Sequence, residues 1–166
     1  MSAFDEFLRS NRGYVQVFDA GDLPAPPSRQ VAVVTCMDAR LDPEEFLGLG
    51  LGEAHVIRNA GGRVSEDTLR SLVISQRLLG TDEVVVIHHT DCGMMSFTND
   101  DLRQKIRSDL GADASGTDFM PFSDLEDSVR EDVERVRSSE LVPDDVTVRG
   151  AVYEVETGGI REVPGR

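Results

Sequence analysis

Three short runs, residues 31–35, 54–57 and 84–87, carry β-forming apolar residues, and none shows clean alternation of apolar with polar positions. A strand with one wet face reads with a period of two, so an unbroken apolar run calls for cover on both faces. A parallel sheet between helices supplies that cover. Between the second and third runs a helical stretch opens at Ser65 and closes at Gly80, a residue suited to a helix C-terminus. Its apolar residues fall on two sides, Leu69, Leu72 and Val73 on one and Ile74 and Leu78 on the other. It is expected to pack against the sheet and also against a partner subunit.

Further along, Ser123-Asp124-Leu125-Glu126 fits a capping box, and Leu125, Val129, Val133 and Val136 form the apolar stripe of the helix that follows. Val146, Val148 and Val152 share one parity in a last extended run. The order is a β-α-β-α-β rhythm, so the expected fold is α/β, a mostly parallel central β-sheet flanked by helices. Residues 111–122 read as a polar, mobile loop. At the other end, Phe4, Phe7 and Leu8 have helical spacing within 2–11, and Asn11 and Gly13 supply stop signals. The Leu23-Pro24-Ala25-Pro26-Pro27-Ser28 segment cannot continue a helix and reads as an irregular lead-in.

A chain of 166 residues suits one core, so 1–166 is read as a single domain. No apolar stretch approaches the length that a membrane span requires. Met1-Ser2-Ala3-Phe4-Asp5-Glu6 lacks the basic start and apolar run of an export signal. A soluble, cytoplasmic protein with no membrane partner is expected. The formal net charge of −14 repels phosphate backbones, so nucleic acid is not an expected partner. Lys105 is the only lysine among many acidic residues, a composition that fits adaptation to high salt.

The chemistry gathers at the ends of two of the apolar runs. The first leads into Thr35-Cys36-Met37-Asp38-Ala39-Arg40 and the third into Ile87-His88-His89-Thr90-Asp91-Cys92-Gly93. Carboxyl ends of parallel strands are where ligand sites form, so Cys36, His89 and Cys92 are expected to converge. Two cysteines and one histidine are a donor set of catalytic zinc, with the fourth position left to water. Two thiolates offset the charge of the ion, so such a centre needs help from its neighbours. Asp38 and Arg40 leave the strand on one side and can pair. Arg40 would then hold a carboxylate that either accepts a hydrogen bond from the metal's water or moves onto the metal as a fourth ligand. His88 should face away from His89, and His55 reads as a loop or strand-edge residue. Gly61 and Gly62 mark a tight turn.

Taken together, Cys36-x-Asp38-x-Arg40, then Arg58-Asn59-Ala60-Gly61-Gly62, then His89-x-x-Cys92-Gly93 resemble the motifs of the β-class carbonic anhydrases, strongly over about residues 30–95. The resemblance implies one zinc ion per chain on Cys36, His89 and Cys92, with Asp38 and Arg40 as the dyad that governs the fourth position. It implies zinc hydroxide attacking carbon dioxide to give bicarbonate and a proton. It also implies a homodimer or a higher assembly of dimers, with residues 1–29 an N-terminal helix and extended arm on the partner subunit. Gly93, whose amide neighbours a ligand, is a candidate for contacting bicarbonate. Met37 stands where some members carry a tryptophan of a second, non-catalytic bicarbonate site, and the chain contains no tryptophan. Two alternatives keep the metal. One is hydrolysis of carbon disulfide or carbonyl sulfide on the same scaffold, and the other is a non-catalytic zinc site closed by Asp38.

Overall fold

The computed structural model describes residues 2–165. Its centre is strand β1 (Val31–Cys36), paired on one side with β2 (Ala54–Asn59) and on the other with β3 (Glu83–His89). Beyond β3 lie β4 (Thr147–Tyr153) and the edge strand β5 (Ile160–Val163), giving the order β2-β1-β3-β4-β5. The first four strands are parallel and β5 runs antiparallel to β4. This is the α/β arrangement expected from the apolar runs.

Both faces of the sheet are apolar, which is why the runs do not alternate. On one face Ala32, Val34, Val84, Val86, Val148 and Val152 are buried under α3 (Glu66–Leu79) and α5 (Leu125–Arg137), through Leu72 of the first helix and Val129, Val133 and Val136 of the second. On the other face Val33, Ile87 and Ala151 pack with Phe46 and Leu47, at the end of the short α2 (Pro43–Phe46), and with Tyr153. Gly150 allows the close approach of α5, since a β-carbon there would stand 2.5 Å from Val129 Cγ1. α3 has the expected ends, with Ser65 accepting a hydrogen bond from the Thr68 amide and Gly80 in the left-handed conformation at φ 75°. Its Leu69–Leu72–Val73 side packs into the core, while Ile74 and Leu78 are exposed in the single chain.

Four local readings change. α1 (Ala3–Val15) passes through Asn11 and Gly13, and closes instead on the Gln16 amide, which donates to the carbonyls of Gly13 and Tyr14. α5 is capped by Asp124, whose side chain accepts from the Asp127 amide, and Ser123 lies outside the cap. A helix the sequence reading passed over, α4 (Asn99–Leu110), opens with a Thr98–Asp101 capping box and buries none of its residues. The edge strand β5 was likewise unanticipated. α1 buries none of its residues either, and Phe4 and Phe7 are 64% and 67% exposed.

Candidate metal centre

Register brings the two polar clusters together. Thr35 of β1 pairs with Ile87 of β3, so Cys36 and His89, each the last residue of its strand, leave the sheet at the same edge. Cys92 follows in the turn after β3, ahead of a single 3-10 turn at Gly93–Met95. All three side chains are buried, and one ligand atom from each lies within 4.8 Å of the others.

His89 is aimed by its backbone neighbour. Its Nδ1 lies 2.8 Å from the carbonyl of Thr90. Only a protonated nitrogen can satisfy that carbonyl, so Nε2 keeps its lone pair. That Nε2 is buried and has no hydrogen-bond partner among the described residues, which leaves its lone pair open to a Lewis acid. The loop is pinned further by the Thr90 amide, which donates to the Tyr153 carbonyl, and by Thr90 Oγ1, which accepts from the Val155 amide.

The two thiols act on each other in opposite directions. The Cys92 thiol beside Cys36 is the main cause that brings the Cys36 thiol down to about 4, against the opposing effect of burial and with help from His89. The same hydrogen bond and burial push the Cys92 thiol up. For His89, burial disfavours the charged form, but Cys36, the Thr90 carbonyl and the Asp38 carboxylate together raise the ring's pKa. Two cysteine sulfurs and one imidazole, buried, converging and competing for protons, are the donors a zinc ion displaces protons to reach.

Asp38 and Arg40 do pair. Arg40 Nε and Nη2 donate to Asp38 Oδ1 and Oδ2 at 3.0 and 2.8 Å, and the Arg40 amide donates to Oδ1 at 2.9 Å. These bonds hold the Asp38 carboxyl well below the usual carboxylate range. Asp38 Oδ2 lies 3.8 Å from His89 Nε2, next to the cluster without being part of it. On its other edge Arg40 reaches Asp91, with Nη1 donating to Oδ2 at 2.7 Å and Nη2 donating to the carbonyl at 3.0 Å. Sequence reasoning passed over Asp91, since its place between His89 and Cys92 marks no role by spacing.

The Arg58–Gly62 segment braces the same loop. Arg58 Nε donates to the Cys36 carbonyl at 3.0 Å and Nη2 to the Asp38 carbonyl at 2.7 Å. Asn59 closes the glycine turn, accepting from the Arg63 amide and donating to the Arg63 carbonyl. Gly62 sits at φ 66° against the backbone of Cys36. The glycines therefore serve close approach as well as a turn.

His88 points the opposite way from His89, as strand geometry requires. Its Nδ1 lies 2.7 Å from Ser128 Oγ, and its Nε2 lies 3.2 Å from both the Gly62 carbonyl and Asp132 Oδ2. Asp132 is fully buried and forms an ion pair with Arg63 at 2.8 Å. A signal for it was available, because Asp132 falls between Val129 and Val136 at helical spacing on the apolar stripe of α5. His55, opposite Ala32 near the start of β2, bonds Ser75 at 2.7 Å and lies four residues upstream of Asn59, the partner of Cys36. That is roughly 13 Å along the strand. Gly93 follows Cys92 directly and is exposed. A separate cavity of about 670 Å³ opens between α5, β4 and β5, and no cluster residue lines it.

The chain is similar to known proteins along nearly its whole length. The carbonic anhydrase family matches residues 31–160. Beta-carbonic anhydrase 1 of Mycobacterium tuberculosis H37Rv is 45% identical over 163 residues, covering 98% of this chain and 99% of that protein. A carbon disulfide hydrolase of Acidithiobacillus thiooxidans is 35% identical over 156 residues, covering 82% and 78%. The crystal structure of a carbonic anhydrase from Streptococcus mutans superimposes with a TM-score of 0.96 at 51% identity, covering 99% of both chains.

Proposed function

We propose that this chain, which belongs to the β-carbonic anhydrase family, catalyses the reversible hydration of carbon dioxide to bicarbonate and a proton at a zinc site formed by Cys36, His89 and Cys92. The observation that carries the reading is the buried cluster of those three side chains, with His89 Nε2 buried and unpartnered among the described residues. When bound, zinc supplies a Lewis acid that makes water a nucleophile near neutral pH.

The chain's own residues do the rest. Cys36 and Cys92 would hold the ion as thiolates and His89 as a neutral ring through Nε2. Asp38, fixed by the Arg40 fork, accepts a hydrogen bond from the attacking water at Oδ2 and so directs a lone pair toward the substrate. Leu41 and Met94, with Phe46, Phe97 and Phe122 packed against them, give the cluster apolar surroundings that suit an uncharged substrate. Gly93, exposed beside Cys92, is assigned to bicarbonate through its backbone amide. Because Asp38 is committed to Arg40 and not to the metal cluster, the arrangement favours catalysis over a zinc site closed by Asp38.

The exposed Phe4 and Phe7 of α1 and Ile74 and Leu78 of α3 support a homo-oligomer in which residues 1–29 pack on a second copy of a single-domain chain. Buried reduced thiols suit a reducing, cytoplasmic setting. Among the described residues no helix is long and apolar enough to cross a membrane.

A second substrate reading, hydrolysis of carbon disulfide, is favoured by the Acidithiobacillus relative. Stopped-flow assay of the zinc-loaded protein in molar salt between about pH 7 and 9 separates the two. Rapid carbon dioxide hydration that rises with pH supports the first. Zinc-replete protein that leaves carbon dioxide untouched and consumes carbon disulfide would establish the second.

A further inference from the structure

The guanidinium of Arg40 divides its side-chain hydrogen bonds between two carboxylate residues. Two go to Asp38, from Nε and Nη2, and two go to Asp91, from Nη1 to the carboxylate and from Nη2 to the carbonyl. Asp91 lies between His89 and Cys92 and holds the left-handed conformation at φ 54°. Residues with a β-carbon seldom adopt that conformation, and aspartate tolerates it better than most. There a single residue presents both acceptors to one arginine. Arg40 therefore ties the loop after β1 to the turn after β3.

The tie matters because Asp38 is poised between two partners. Its Oδ2 is 2.8 Å from Arg40 Nη2 and 3.8 Å from His89 Nε2. Besides the Arg40 amide, which donates to Oδ1, what holds Asp38 away from the cluster is the fork, and the fork holds only while the guanidinium stays in place. A guanidinium anchored on one edge can pivot with the carboxylate it carries, while one anchored on both edges cannot.

We propose that Asp91 is a positioning residue: by holding the far edge of Arg40 it keeps Asp38 on the arginine and off the metal. The inference rests on the reading of Cys36, His89 and Cys92 as metal ligands and does not depend on the substrate. The Arg40 and Asp91 side chains are 48% and 78% exposed. The effect is therefore modest, on the scale of a partly solvated ion pair.

The test uses the cobalt(II)-substituted protein titrated with azide in concentrated sodium sulfate at one fixed pH, followed by visible absorption. Two substitutions are compared with wild type. Asp91→Gly removes the side chain where a glycine accepts the backbone, and Asp91→Asn keeps the shape and removes the charge. Azide binding is expected to weaken about threefold in Asp91→Gly and less in Asp91→Asn, because Asp38 then competes for the position azide takes. In an Asp38→Ala background that loss is expected to vanish. Unchanged or tighter azide binding in Asp91→Gly overturns the inference, as does a loss that persists without Asp38. Wild type that takes up cobalt but hydrates no carbon dioxide would defeat the substrate reading and leave this test standing. Wild type that takes up no cobalt overturns both.

Discussion

Gly62 and Cys36 meet backbone to backbone: a β-carbon on Gly62 would lie 2.9 Å from the Cys36 nitrogen and from the Thr35 carbonyl carbon. No flexible side chain can yield there. Gly62→Ala meets this clash and also a left-handed backbone. That backbone alone costs roughly 1–2 kcal/mol for a residue with a β-carbon. The variant is expected to melt several degrees lower and to bind zinc less tightly, measured by thermal denaturation and by competition with a chelator. Wild-type values for both would show that the segment does not brace Cys36.

Loss of a ligand should remove metal and activity together. Cys36→Ser and His89→Ala are each expected to abolish stoichiometric zinc, read by elemental analysis after gel filtration. Asp38→Ala is expected to keep zinc and lose turnover about 10²-fold or more, the scale of a lost transition-state hydrogen bond. Stoichiometric zinc in either ligand variant would overturn the ligand assignment.

The thiol pair sets a pH dependence on the metal-free protein. Cys36 is lowered from an ordinary value near 9 to about 4. A group depressed on folding contributes stability that is complete above its unfolded pKa and fades as pH falls toward its folded one. The stability that Cys36 contributes to the metal-free protein is thus expected to fade between about pH 9 and pH 4, opposed by the raised His89, and the protein is expected to carry one thiolate per chain at neutral pH. Thiolate ultraviolet absorbance reads this directly, and two thiols or two thiolates at neutral pH would contradict it.

Buried and exposed ion pairs should part company. Asp132→Ala leaves Arg63 buried without its nearest carboxylate. Such breaks typically cost about 3–5 kcal/mol. Arg149→Ala breaks a pair at 2.7 Å whose members are each 55% exposed. No measurable change in melting temperature is expected from that loss. Thermal denaturation of both variants in the same salt makes the comparison.

Proton release has no histidine to carry it within the chain. His88 and His89 are fully buried, and His55 sits near the far end of β2. Turnover is therefore expected to rise with buffer concentration and level off. A rate independent of buffer from low millimolar concentration upward would point to a carrier supplied by a second copy.

Much of this arrangement was legible in the chain because it is written in burial. Residues 31–35 and 84–87 had to be covered on both faces, and α3 and α5 announced themselves by caps and stripes. α4 and β5 escaped for the converse reason. α4 buries nothing and β5 buries only Val163, so neither shows a pattern that packing imposes. At the centre, ligand-type residues stood out at strand ends. Asp91 and Asp132 did not, since one is read only through the arginine it holds and the other hid among valines.

The three candidate donors are also unevenly distributed along the chain. His89 and Cys92 are neighbours in sequence, whereas Cys36 joins them only once β1 and β3 lie side by side, a contact that spans 52 residues between Thr35 and Ile87. An unfolded chain offers a metal two donors at most in one place. Full chelation would thus require the central strand pair to be assembled, and a bound ion would fasten that pair by favouring the folded state.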